Sequence, residues 1–145
     1  MNQNSSHDVI VIGAGPAGST TAAFLAQKGR NVLVFEKETF PRYHIGESMM
    51  PFCYQILDKL GLAQKMNQIG FQQKHSVQFV TNCGKVSQPF YFFQHKDCPS
   101  SITWQVERAV FDQMIADKAR ENGAEIREKH QVRDFIRDES GVVIG

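Results

Sequence analysis

Asp8-Val9-Ile10-Val11-Ile12-Gly13-Ala14-Gly15-Pro16-Ala17-Gly18 stands near the start of the sequence, and its reading decides the fold. Asp8 to Ile12 is a short β-rich run that stops at a glycine. Pro16 to Lys28 has helix-forming composition, with Ala22, Ala23, Phe24, Leu25 and Ala26, and Gly29 supplies the stop. Asn31 to Phe35 is a second β-rich run, ending at Glu36. Strand, tight turn, helix and strand make one βαβ unit, whose strands are expected to pair in parallel through a right-handed crossover. The turn itself reads GxGxxG. A bare match is weak evidence, but here a strand precedes it, a helix follows, and Glu36 lies 18 positions beyond Gly18, close to the ~20 of dinucleotide-binding units. In such a unit Gly13 permits the tight turn, Gly15 lets the backbone approach a pyrophosphate, and Gly18 allows close helix packing. Pro16 and Ala17 open the helix whose N-terminal N–H groups meet the phosphates. Glu36 can accept hydrogen bonds from ribose hydroxyls and repels a 2′-phosphate, which disfavours NADP.

Outward from this unit, the loop Lys37 to Glu47 carries Pro41 and Gly46. A helix is predicted from Met49 to Leu60, with Ser48 as its N-cap and Pro51 in its first turn. Gly61 stops it, and a short helical stretch runs to Gln68. Val77 to Thr81, Lys85 to Phe93 and Ile102 to Val106 have strand character, with turns at Asn82 to Gly84 and Asp97 to Ser101. Together they are expected to form a small antiparallel sheet. From Glu107 to Asn122 the apolar residues Val110, Phe111, Met114, Ile115 and Ala119 recur at helical spacing, and Gly123 closes the segment. Ala124 to Lys129 returns to a strand, and Val132 to Arg137 and Gly141 to Ile144 read as the start of a β-meander still running at Gly145. The expected fold class is α/β: a Rossmann-like βαβ unit with an inserted small antiparallel β-sheet, truncated before its C-terminal part.

With 145 residues, 41% hydrophobic and 21% charged, the chain can bury one ordinary domain core. Sixteen Lys and Arg against 15 Asp and Glu leave a formal charge of +1, so no net field draws it to nucleic acid or an anionic membrane. Met1 to Asp8 is polar and unlike a secretory signal, and no apolar stretch approaches the ~20 residues of a membrane span. A cytoplasmic protein without a membrane span is expected. Cys53, Cys83 and Cys98 lack disulfide or zinc spacing and are read as reduced. His44, His75, His95 and His130 stand apart, and no metal site is expected.

The fingerprint does not separate FAD from NAD; the sequence beyond Glu36 does. Phe40-Pro41-Arg42-Tyr43-His44-Ile45-Gly46-Glu47-Ser48 resembles the "PR…GES" stretch of flavin-dependent halogenases and their oxidoreductase relatives. Ile69-Gly70-Phe71-Gln72-Gln73-Lys74 is similar to that family's "GFxxK" segment. Gln105-Val106-Glu107-Arg108-Ala109-Val110-Phe111-Asp112 is similar to its "QVxRxxFD" segment. With the glycine-rich turn, these segments reach from Asp8 to Asp112 of this chain, and they cover well under half of a full-length family member. The resemblance implies the N-terminal part of an FAD-binding domain over residues 1–145, with about 71–106 belonging to a small substrate-side sheet. It implies FAD as cofactor, held by the glycine-rich turn, Glu36 and the adjoining Lys37. Arg42 and Arg108 would lie near the ribityl and pyrophosphate portion, because guanidinium groups match phosphate oxygens. For each arginine, a plain surface role is the alternative.

Lys74 matches the halogenase lysine that lies between flavin and substrate and handles hypohalous acid formed from halide. Its alternative is an exposed lysine in the polar loop of Gln72, Gln73 and His75. Ser48 likewise has two readings, shaping the flavin side of the site or capping the helix. The aromatic run Phe90-Tyr91-Phe92-Phe93, with Trp104, either lines a substrate pocket or packs the small sheet, the packing reading being preferred. The implied function is an FAD-dependent oxidoreductase of the halogenase or monooxygenase type. It would act on a small aromatic or apolar molecule, use halide, and take reduced flavin from a separate reductase. Two alternatives stand: a non-catalytic fragment that binds nucleotide weakly, and a geranylgeranyl-reductase-like flavoprotein. An NAD-dependent enzyme rests on the generic fingerprint alone.

Overall fold

In the computed structural model, residues 6–95 and 98–145 are described. The polar start at 1–5 and Asp97 of the expected turn at Asp97 to Ser101 lie outside them. The elements in chain order are β1 (Val9–Ile12), α1 (Pro16–Gln27), β2 (Val32–Phe35), α2 (Phe52–Lys59), α3 (Ala63–Ile69), β3 (Gln72–Lys74), β4 (Ser76–Val77), β5 (Phe90–Tyr91), β6 (Thr103–Gln105), α4 (Arg108–Glu121) and β7 (Glu125–Arg127). They fall into two compact units. The residues up to His44 join Ala109–Gly145 in the first, and Ile45–Arg108 make the second.

In the first unit β1 and β2 run parallel, with Val9 opposite Val32 and Ile12 opposite Phe35. β7 joins the far side of β2, also parallel, giving the order β1-β2-β7. The central position of β2 explains its unbroken apolar run, since Val32, Leu33 and Val34 are all buried. α1 buries Ser19, Ala22, Ala23 and Ala26, small side chains that let a helix lie close to a sheet. α4 buries Phe111, Met114, Ile115 and Ala119 at the expected spacing, and Asp112 with them. Asn122 Nδ2 donates to Ala23 O at 3.0 Å, tying the end of α4 to α1. β1 alternates half-buried and exposed residues. Its exposed Ile10 and Ile12 line an open groove of about 790 Å³ with Phe35, Phe135, Ile136 and Ile144. The expected meander strands do not form among the described residues. Val132 to Arg137 and Gly141 to Ile144 pair through an Arg137–Val143 bridge and the Ile144 N–H to Ile136 O bond at 2.8 Å, around a turn in which the Asp138 carboxylate accepts the Ser140 and Val142 N–H groups.

In the second unit the expected single small sheet is instead two ribbons: β3 antiparallel to β6, with Lys74 opposite Thr103, and β4 antiparallel to β5. β3 falls where the sequence reads as a polar loop, because Gln72-Gln73-Lys74 carries no apolar alternation. Val77 to Thr81 and Lys85 to Phe93 are broken as well. Val80 only bridges Val86, and the chain turns into a 3₁₀ helix at Phe92–Gln94. That turn carries Phe92 into the core while Phe90 stacks on His95 at 3.9 Å. Trp104 is buried, stacks on Tyr54 at 5.7 Å and donates Nε1–H to Asn67 Oδ1 at 3.2 Å. α2 starts at Phe52, later than expected, and Ser48 does not cap it; Pro51 holds the cap position. The reason is backbone pairing beside β6. Met49 N–H bonds Trp104 O, Val106 N–H bonds Glu47 O, and Ser48 bridges Gln105, so 47–49 are extended.

Candidate cofactor site and a caged lysine

The first unit assembles the glycine-rich turn at the end of β1. Gly13 has φ +90°, open to glycine at little cost, and its N–H bonds Phe35 O at 2.8 Å. Gly18 packs so tightly that a Cβ there would lie 1.9 Å from Gly13 O and 3.3 Å from Val11 Cγ1. Above Gly15 the nearest atom to a Cβ position is Arg42 Nη2 at 3.8 Å, so its backbone face is open to close approach. Pro16 starts α1 from Gly15, with no capping side chain and no acidic residue in the first turn. The helix N-terminus therefore keeps donors and a positive dipole end for an anion. These features fit a pyrophosphate-bearing dinucleotide.

Glu36 is buried at the end of β2, and its carboxylate organises the site. Oε2 accepts the Ala14 N–H at 2.8 Å and Arg42 Nη2 at 3.2 Å, and Oε1 accepts the Glu38 N–H at 3.0 Å. Burial pushes its pKa up, but the N–H groups of Glu38 and Ala14 and the Arg42 charge outweigh that and hold it below the ordinary glutamate range. Arg42 is buried among three acids. Its Nη1 lies 3.4 Å from Asp112 Oδ2 opposite the Glu36 contact, its Nε is 3.8 Å from Glu38 Oε2, and the guanidinium sits 5.0 Å over the Phe40 ring. Lys37 is exposed. Asp112 is a site residue that the sequence reading left unassigned. A carboxylate beside Phe111 on the buried face of an amphipathic helix is the signal for it.

The second unit holds the remaining candidates. Lys74, on β3, donates from Nζ to Ser48 Oγ at 2.7 Å and Met49 O at 3.3 Å, with Met50 Sδ at 3.7 Å. Its ammonium lies 5.6 Å from the Phe92 ring centre. Among the described residues these partners are neutral. Burial lowers the Lys74 pKa from the usual lysine value. Arg108 donates from Nη1 to Ile45 O at 2.8 Å and approaches Gly46, whose φ is +104°. Cys53 and Cys83 are free thiols, and Cys98 Sγ lies 3.0 Å from Ser100 Oγ. Among the described residues no group of three His, Cys, Asp or Glu is placed to hold a metal, and no helix is long and apolar enough to cross a membrane.

Parallel strands, a glycine-rich turn feeding α1 and a buried acid at the end of β2 define a dinucleotide-binding α/β domain. The chain belongs to the family described as "FAD binding domain", whose profile matches residues 6–143, and FAD is its cofactor. It is 40% identical over 143 residues to the 1H-pyrrole-2-carbonyl-[peptidyl-carrier protein] brominase of Pseudoalteromonas luteoviolacea (strain 2ta16), covering 99% of this chain and 33% of that protein. It is 37% identical over 128 residues to the tryptophan 2-halogenase of Chondromyces crocatus, covering 88% of this chain and 24% of the relative. Among solved structures it resembles the myxobacterial chondrochloren halogenase CndH, with a TM-score of 0.81 and 37% identity over 95% of this chain and 34% of that one. The chain thus spans about a third of the length of these relatives or less.

Proposed function

We propose that this chain is the cofactor-holding N-terminal part of a flavin-dependent halogenase, working in the cytoplasm on a small aromatic molecule with halide and with reduced flavin from a separate reductase. The observation that carries this reading is Lys74, an amine held among neutral partners in the segment that resembles the halogenase lysine motif. In this reading Gly13, Gly15, Pro16, Ala17 and Gly18 receive the pyrophosphate, and Glu36 and Lys37 face the adenosine ribose. Arg42 and Arg108 add positive charge toward the phosphates, and Ser48 belongs to the flavin side, with residues 71–106 on the substrate side. Bound FAD, once reduced, supplies the reaction with oxygen by which halide is oxidised. The chain's own contribution is at Lys74 Nζ, which gives a hydrogen bond to hypohalous acid or, as the neutral amine, takes its halogen as the oxygen–halogen bond breaks and one N–H proton leaves with the hydroxide as water. A lowered pKa leaves more of this amine neutral near pH 7 than an ordinary lysine has.

The test uses the purified chain and its Lys74→Ala variant, each supplied with FAD, a flavin reductase, NADH, bromide and phenol. Retention of one FAD per chain with bromophenol formed by the parent, and a loss of at least about 100-fold in the variant, is the expected result. Equal bromination by the variant removes the lysine from the chemistry. The second reading, a module that only binds nucleotide, draws on the chain's third-length coverage of its relatives. Retained FAD with no brominated product from the parent would favour it.

A further inference from the structure

Lysine ammonium has three protons to place, and in the second unit one short stretch receives them. Ser48, Met49 and Met50 are consecutive, and they present a hydroxyl at 2.7 Å, a carbonyl at 3.3 Å and a thioether at 3.7 Å to Lys74 Nζ. The Phe92 ring adds a face of negative potential at 5.6 Å. Of these, only the hydroxyl can both accept from the ammonium and donate to the neutral amine. Ser48 is also held from behind, since it bridges Gln105 while its neighbours Glu47 and Met49 bond the backbone of Val106 and Trp104. The backbone that would otherwise begin α2 is instead extended beside β6, with its Ser48 hydroxyl within 2.7 Å of Lys74 Nζ.

We propose that Ser48 is the positioning residue for the Lys74 amine: its hydroxyl fixes the direction in which Nζ points and stays bonded to it whichever protonation state the amine adopts. This rests on the reading of Lys74 as the reacting amine, but it is measurable without flavin or halide. In the protonated state Nζ–H donates to Ser48 Oγ. After loss of one proton to solvent, the Ser48 O–H turns to donate to the nitrogen lone pair, so the amine is held while no bond to carbon changes. Of the ionisable residues flanking the pair in sequence, Glu47 accepts at Oε2 from Gln105 Nε2 at 3.4 Å, while His75 follows Lys74 directly on the chain and its carbonyl accepts from the Phe92 N–H.

The test follows the rate of Lys74 acetylation by acetic anhydride as a function of pH, read peptide by peptide in the mass spectrometer, on the whole chain without cofactor. The midpoint of the profile reports protonation, and its high-pH plateau reports access. Ser48→Ala removes an acceptor that bonds the charged form more strongly than the neutral one. The midpoint is therefore expected to move down and acetylation at pH 7 to rise several-fold, with Ser48→Thr restoring the parental profile. An unchanged midpoint overturns the proposal. So does an upward one, since loosened packing would give the amine back to water and move it toward free lysine. Should Ser48→Ala fail to fold, Ser48→Thr against Ser48→Val compares hydroxyl with methyl at constant shape and carries the same expectation. If the midpoint moves as expected but the parent makes no bromophenol, the positioning stands and the halogenase reading falls.

Discussion

Glu36 shows how much one side chain does at the end of a strand. The family pattern asks it to bind ribose, yet three of its acceptor positions are already engaged by the Ala14 N–H, the Glu38 N–H and Arg42. It therefore ties the glycine-rich turn to the loop after β2 before any nucleotide arrives. A pH dependence follows, with a definite sign. Its folded-state pKa is held below the ordinary value, so at a given acidic pH the unfolded chain binds the proton more readily. The stabilisation is fully present above the ordinary glutamate range of about 4.3 and is lost as pH falls through that range to the lower folded value. Glu36→Gln is expected to destabilise the chain at pH 7, because Arg42 then lies buried beside one acid fewer, and to flatten the acid limb of the stability profile. Urea midpoints measured from pH 7 to pH 3 check this. Parallel slopes for parent and variant would show that other carboxylates set the acid limb.

At the scale of elements, the fit of α1 against the turn is the tightest feature of the fold. Gly18→Ala would bring a methyl to 1.9 Å from Gly13 O, and a backbone oxygen cannot rotate away as a flexible side chain can. Helix and turn must separate, at a cost at the upper end of overpacking, about 3 kcal/mol, or a fall in melting temperature on the order of 10 °C. FAD affinity is expected to fall with it, since the same separation displaces Gly15. A calorimetric scan that matches the parent would show that helix and turn part without cost to admit the methyl. The elements legible in the sequence are those whose signals are local. β1, α1 and β2 announce themselves by apolar runs ending in glycine, and α4 by apolar residues at helical spacing closed by Gly123. β3 was hidden because Gln72-Gln73-Lys74 becomes a strand only through pairing with Trp104 and its neighbours. The start of α2 was misplaced for a similar reason. Ser48 has cap chemistry, but the Met49 N–H that would open the helix is taken by Trp104 O, 55 positions away in sequence. The site follows the same rule: the glycines, Glu36 and Lys74 stand in motifs, whereas Asp112 acquires its role only when α4 brings it to Arg42.

For the whole molecule, the question is what an apolar groove means for a chain of nearly zero net charge. In the first unit Ile12 is 53% exposed and Ile136 is 66% exposed, and both line the groove of about 790 Å³ beside β1. β1 and β7 are the outer strands of its sheet, so each offers one row of backbone groups not bonded within that sheet. A contiguous apolar surface beside an outer strand favours association. A formal charge of +1 supplies no repulsion against it. The purified chain is therefore expected to bind an apolar dye such as anilinonaphthalene sulfonate and to sediment as a concentration-dependent mixture. Ile136→Lys puts a charge on the wall of the groove, at a side chain that is mostly exposed. It is expected to reduce both dye fluorescence and association several-fold while leaving the melting temperature within about 2 °C, as for most exposed substitutions. If dye binding and sedimentation are unchanged in Ile136→Lys, the groove is closed in solution and the association surface lies elsewhere. If both fall together, the groove is the surface that any neighbouring polypeptide must cover before the chain behaves as a monomer.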